Sequence, residues 1–151
     1  MTETTQLLVW QDDFATGVEQ IDEQHKILIH SLQEANEQLA INSSAEVLDK
    51  ITRDLLAYAL YHFETEEELM EQYGYGAQEQ AEEREAHLAQ HRSFAAKVLS
   101  IREALKAGTL ISREELLGFL TDWLKNHILH TDKKLGRHVS ARQADASAPP
   151  A

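Results

Sequence analysis

His87 and His91 lie four residues apart in a stretch, roughly Ala77 to Ala107, whose apolar positions recur at intervals of three and four. That period marks an amphipathic α-helix. On a helix a spacing of four turns the chain by about 400°, so both imidazoles stand on one face, one turn apart. The same face carries Arg84, Phe94, Val98, Ile101 and Leu105, the row such a helix turns inward. A fold that accepts this stretch must bring two imidazoles into its interior and find partners for them.

Three more stretches share the period. From about Val18 to Ala40 the stripe reads Ile21, His25, Leu28, Leu32, Ala35 and Leu39. Asn42-Ser43-Ser44 breaks it, and Ser43 with Glu46 has the spacing of a capping box that opens a second helix. There the stripe is Val47, Ile51, Leu55, Tyr58, His62, Glu66, Leu69 and Tyr73, stopped by Gly74 and Gly76. Gly108 ends the third helix. Ser112 and Glu115 then open a fourth, which runs through Leu116, Phe119, Leu120, Trp123, His127 and Ile128 to about Leu135.

Four long amphipathic segments on short connections predict an all-α fold, an up-down-up-down antiparallel four-helix bundle spanning residues 18–136. Residues 1–17, with the apolar patch Leu7-Leu8-Val9-Trp10, read as an N-terminal arm laid over the bundle. Residues 137–151 contain one branched aliphatic residue, Val139, and read as a disordered tail.

The formal charge of −12, with 14 Lys and Arg against 26 Asp and Glu, argues against a nucleic-acid partner, because phosphate binding needs a basic face. Cysteine is absent, which removes disulfides, thiolate zinc sites and iron–sulfur clusters. Any metal must be held by imidazole and carboxylate. The first residues have no basic and apolar leader pattern, and no run of roughly 18 apolar residues occurs, so the expectation is a cytoplasmic protein with no membrane insertion.

The inward stripes carry His25, His62, Glu66, His87, His91 and His127, with Asp132 five residues beyond the last. Burying seven ionisable groups in one small core without a metal would carry a heavy desolvation cost. One ion cannot use them all, since zinc sites take about four ligands. Two octahedral ions can. Five imidazoles, two bridging carboxylates and one bridging solvent oxygen fill all but one of their positions, leaving a single place open. Asp132 is the awkward member: five residues is about 500° of helix, roughly 140° away from His127, so it needs a bulge or an unwound turn to come in. His130 is the competing ligand in that segment, while His30 and His138 read as solvated.

The order His25, His62-x3-Glu66, His87-x3-His91 and His127-x4-Asp132 resembles the hemerythrins, specifically the single-domain bacteriohemerythrins. The resemblance covers about residues 7–136, including Trp10 and Ile21-Asp22-Glu23-Gln24-His25-Lys26. It implies a non-haem di-iron centre. His87, His91 and His127 would bind one iron and His25 and His62 the other, bridged by Glu66, Asp132 and an oxo or hydroxo group. The open position then falls on the iron with two histidines. The family binds dioxygen there reversibly, with two electrons from the ferrous pair and a proton from the bridging hydroxide.

The implied function is O₂ storage or delivery in the cell rather than an enzyme activity, with dioxygen as ligand and a protein client to receive it. O₂, NO or redox sensing and a ferroxidase-like di-iron oxidase are the alternatives. The paired Glu-x-x-His motifs of ferritin-like catalysts do not occur here. Leu28, Phe63, Trp123 and Ile128, close to the ligands in sequence, would form the O₂ pocket, a dry wall that limits water and protons. One departure stands out: the family commonly has a tyrosine shortly after the bridging aspartate, and this chain reads Asp132-Lys133-Lys134-Leu135.

Overall fold

Each amphipathic stripe becomes one long helix. The computed structural model describes residues 8–77 and 80–147. It places α1 at Glu19–Ile41, α2 at Ala45–Gln72, α3 at Ala81–Lys106 and α4 at Arg113–Asn126. A π-helical segment, His127–Asp132, continues α4 directly into α5, Lys133–Ser147. Helices of about four to eight turns on connections this short must fold back on one another, and the result is a four-helix bundle with no strand among the described residues. α1 packs on α2 and α4, and α2 packs on α3. Phe94 ties α3 to α4 by packing on Trp123 at 4.4 Å between ring centroids.

The helix ends follow from local chemistry. Ser44, one residue later than the expected Ser43, caps α2 by accepting the Val47 N–H. Ser112 caps α4 through Glu115 N–H, at the expected position. Gly74 takes φ +68°, the left-handed conformation in which Cβ is a burden, and this lets Tyr75 N–H reach back to Met70 O at 2.7 Å. α3 begins at Ala81 rather than Ala77, with Gln80 at its N-cap.

Two apolar clusters hold the bundle. The larger contains Leu28, Leu32, Leu48, Leu55, Phe63, Phe94, Val98, Leu116, Leu120 and Ile128 among its buried residues. The smaller gathers Val18, Ile21, Leu69, Met70, Tyr75, Leu135 and Val139. Each such side chain contributes about 1.5–3 kcal/mol on burial. Along α1, His25 falls between Ile21 of the small cluster and Leu28 of the large one. Glu66 falls likewise between Phe63 and Leu69, and Asp132 between Ile128 and Leu135. The ionisable residues therefore form a layer sealed above and below by hydrocarbon.

The arm is only partly extended. Leu8 and Phe14 are buried in the large cluster, a short 3₁₀ turn forms at Asp12–Phe14, and Asp22 accepts both the Thr16 N–H and the Thr16 hydroxyl at 2.8 Å. Residues 1–7 lie outside the described residues.

The expected disordered tail is corrected. Residues 137–147 are helical, and 148–151 lie outside the described residues. Composition misled because it counts hydrophobes without their positions. Leu135 and Val139 are four apart, share a face and are fully buried. Gly136 does not stop the helix either. It allows a close approach, since a Cβ there would lie 2.5 Å from Thr16 O of the arm. Among the described residues no helix is long and apolar enough to cross a membrane.

Candidate metal centre

The four helices deliver the seven candidate ligands to one place. His25 comes from α1, His62 and Glu66 from α2, His87 and His91 from α3, and His127 and Asp132 from the two ends of the π segment. All seven are buried. Every imidazole turns its Nε2 inward. Glu66 Oε1 lies 3.0 Å from His62, 3.3 Å from His91 and 3.2 Å from His127, and its Oε2 lies 3.5 Å from His87. Asp132 Oδ2 lies 2.5 Å from His25 and 3.6 Å from His62, while its Oδ1 lies 3.1 Å from His87 and 2.8 Å from His127.

The π segment explains how Asp132 joins. An i→i+5 hydrogen-bond pattern widens the turn, so residues five apart come onto one face, which an α-helix would forbid by about 140°. His130, the alternative ligand, faces solvent. His30 is also exposed, paired with Glu34 at 2.9 Å. His138 departs from the solvated reading. It is half-buried, with Nε2–H donating to Tyr73 O at 2.6 Å and Nδ1 accepting from the Gln80 amide at 3.0 Å, and it ties α5 to the turn after α2.

The donor set fits metal better than it fits itself. His62 Nε2, His87 Nε2, Glu66 Oε2 and Asp132 Oδ1 are buried and within ion-pair distance of opposite groups, yet none makes a well-directed hydrogen bond. Buried polar atoms are rarely left so. They point at common centres rather than at one another. Two groups of potential ligands emerge: Glu66, His87, His91 and His127 in one, and His25, His62, Glu66 and Asp132 in the other. Glu66 belongs to both, and the histidines divide three to two. The absence of cysteine and the imidazole–carboxylate composition suit iron, and the cluster fits a non-haem di-iron site.

The charges reflect this crowding. Burial alone would lower the imidazoles, but the Glu66 and Asp132 carboxylates outweigh it and raise His62 to about 10 and His87 to about 9; His127 is raised too. For His91 burial wins, and its value falls. Burial pushes Glu66 and Asp132 upward, and Asp132 feels Glu66 as well, but the facing imidazoles hold both carboxyls well below the usual range.

Around the cluster stand aromatic and aliphatic walls. Phe63 stacks on His91 with centroids 4.0 Å apart, and Trp123 stacks on His127 at 4.4 Å. A small apolar cavity of about 20 Å³ opens between α1, α2, α3 and α4, lined by Leu28, Phe63 and Trp123 of the expected pocket together with Leu32, Ala59, Phe94 and Leu124. Ile128 is buried beside it but does not line it. Leu135, at the point of departure from the family pattern, is buried in the small cluster with Tyr75, a residue of the turn after α2.

Sequence reasoning missed a second set of residues, those that hold the outer ring nitrogens. His62 Nδ1 meets Gln24 Oε1 at 2.7 Å, His127 Nδ1 meets Gln90 Oε1 at 3.0 Å and His91 Nδ1 meets Glu67 Oε2 at 3.2 Å. Each partner adjoins a candidate ligand in sequence, yet each serves a ligand on another helix, so no spacing reveals the pairing.

Comparison with known proteins agrees with this geometry. Residues 16–139 match the family model described as the hemerythrin HHE cation binding domain. The chain is 40% identical over 131 residues to a bacteriohemerythrin of Pseudomonas paraeruginosa, covering 83% of this chain and 76% of that one. It is 37% identical over 138 residues to one of Stenotrophomonas maltophilia, covering 89% and 83%. A myohemerythrin of Theromyzon tessulatum is 30% identical over 125 residues, covering 83% of this chain and 88% of that one. The crystal structure of a wild-type hemerythrin superposes with a TM-score of 0.78 at 29% identity, over 89% of this chain and 99% of that one. A bundle with seven inward candidate ligands, a cluster that fits two ions and relatives of this kind together place the chain in the hemerythrin family.

Proposed function

We propose that this protein binds dioxygen reversibly at a di-iron centre, for O₂ storage or delivery. The observation that carries the reading is the three-to-two division of five inward Nε2 atoms about two buried carboxylates. In this assignment His87, His91 and His127 would hold one iron, His25 and His62 would hold the other, and Glu66 and Asp132, which face both groups of imidazoles, would serve both. When bound in the ferrous state, the iron pair would supply the two electrons that dioxygen takes up on binding.

The chain's own residues do the rest. Three imidazoles on one side saturate that half, so the two-histidine side keeps a position for a small ligand. Leu28, Phe63 and Trp123 line the apolar cavity, and Ile128 belongs to the same apolar cluster. Such walls disfavour water and the proton delivery that would release reduced oxygen and strand the metals oxidised. Phe63 and Trp123 also brace the rings of His91 and His127 by stacking. No carboxylate or imidazole lines the cavity itself to act as an acid or base toward a substrate.

The test is anaerobic reconstitution with ferrous iron. We expect two irons per chain and a visible absorption band that grows on exposure to O₂ and fades when O₂ is removed. A band that never reverses, with iron turnover or oxidation of an added substrate, would replace carriage by an oxidase activity.

A further inference from the structure

We propose that Gln24 is a positioning residue for the two-histidine half of the centre, where it fixes the proton of His62 and offers that ring an uncharged acceptor. The inference rests on the di-iron reading above and concerns how the half that keeps an open position is tuned.

The geometry reads as a directed relay. Tyr61 O, a backbone carbonyl, can only accept, and it takes the Thr65 hydroxyl proton at 3.2 Å. The Thr65 oxygen is then free to accept the Gln24 Nε2–H at 3.0 Å. This turns the Gln24 amide oxygen to His62 Nδ1, 2.7 Å away. His62 must therefore carry its proton on Nδ1, which leaves the Nε2 lone pair for a metal on the inner side. Gln24 and Thr65 are each about 5% exposed, so water does not compete for these bonds.

The other rings are held differently. His91 leans on Glu67, a carboxylate whose side chain is 46% exposed. His127 leans on Gln90, whose oxygen also accepts from Thr131 at 2.8 Å. His25 and His87 have no partner at Nδ1 among the described residues. A carboxylate acceptor pushes electron density through the imidazole onto its metal, whereas an amide does so weakly. The three-histidine half thus has an anionic support at the bundle surface, and the two-histidine half has a neutral one in the interior. A neutral partner keeps the O₂-binding side less electron-rich and slower to lose electrons outright.

Three variants separate the parts of this proposal: Gln24→Met removes the acceptor at similar volume, Gln24→Glu keeps an acceptor but adds charge, and Thr65→Val frees the amide. Zinc binding to metal-free protein, with ¹⁵N NMR of the histidine rings in the zinc-loaded form, reads affinity and proton position without iron chemistry. For Gln24→Met we expect the second zinc to bind about 10–100-fold more weakly with the first unchanged, and the His62 Nδ1–H signal to lose its protection from exchange. Thr65→Val should fall between it and the wild type. Gln24→Glu should restore two-zinc loading, and its iron form should have a lower reduction potential and oxidise faster in air. Two-zinc loading and an Nδ1–H signal unaltered in Gln24→Met and Thr65→Val overturn the inference alone. Wild-type protein that takes up fewer than two metals overturns the di-iron reading and this inference with it. Should Gln24→Met not fold, Thr65→Val and Gln24→Glu decide the matter by the same two measurements.

Discussion

His127 and Asp132, five residues apart, face each other across a single widened turn, with Nε2 and Oδ1 separated by 2.8 Å. A regular helix would put one of them on the outside. The departure from α geometry is thus part of how the cluster is assembled, and its flanks must hold it in place.

Leu135→Ala tests that hold. The side chain is fully buried in the small cluster, three residues beyond Asp132. Urea denaturation of the metal-free protein should show a loss of about 2–5 kcal/mol. Iron stoichiometry on the same variant should drop below two per chain, because Asp132 loses its anchor.

Truncation after Gly136 separates a structural α5 from a dispensable one. Removing Val139 and the His138 bonds to Tyr73 and Gln80 takes away buried contacts with the turn after α2. The melting temperature of the metal-free protein should fall by several degrees. An unchanged melting curve would mean that residues 137–147 contribute no stability.

His62→Ala should abolish the O₂-dependent band. The three-histidine half stays intact, so about one tightly bound iron per chain is the expected result, measured by metal analysis after desalting.

Phe63→Ala removes a buried ring that stacks on His91 and lines the apolar cavity. A destabilisation of about 3–5 kcal/mol is expected. The second consequence is wetter surroundings for the metals, read as faster bleaching of the O₂ band in air. Bleaching at the wild-type rate would show that Phe63 only packs.

Stability of the metal-free protein should depend on pH at both ends. His62, near 10 when folded against an ordinary 6.5, contributes stability fully below about 6.5 that is lost as pH rises through 10; His87, near 9, acts in the same direction. Glu66 and Asp132 are depressed, so their contribution is present above their ordinary values of 4.5 and 3.8 and is lost as pH falls below them. Those four groups should therefore favour folding most between about pH 4.5 and 6.5, while His91, lowered by burial, works against them as pH falls below 6.5. Metal binding uses deprotonated nitrogens and releases those protons. Loaded protein should lose the alkaline decline, and urea midpoints across pH with and without metal will show whether it does.

Much of this architecture was legible in the residues because period and burial speak the same language. A histidine at the register of a leucine, as at His25 between Ile21 and Leu28, announces both a helix face and a buried donor. The need for a bulge before Asp132 was readable as an angle. The helix beyond Gly136 was not. Its two anchoring side chains, Leu135 and Val139, keep register with Asp132 rather than with the earlier part of α4, and a phase change of that kind leaves no mark in composition. Gln24, Gln90 and Glu67 were hidden for another reason: their partners are 24 to 38 residues away, and only the packed bundle brings them together.

Asp132, Leu135 and Val139 lie at steps of three and four on one side of a helix that starts after the widened turn. The small cluster therefore serves as a rotational reference for the ligand. One surplus residue between His127 and Asp132 sets the angle by which the rest of the chain is indexed, and the hydrocarbon grip on Leu135 and Val139 stops that angle from relaxing. A single-residue insertion in α5 ahead of Val139 would disengage that side chain from the grip while leaving every ligand in the sequence. Length, as much as identity, is under constraint in this part of the molecule.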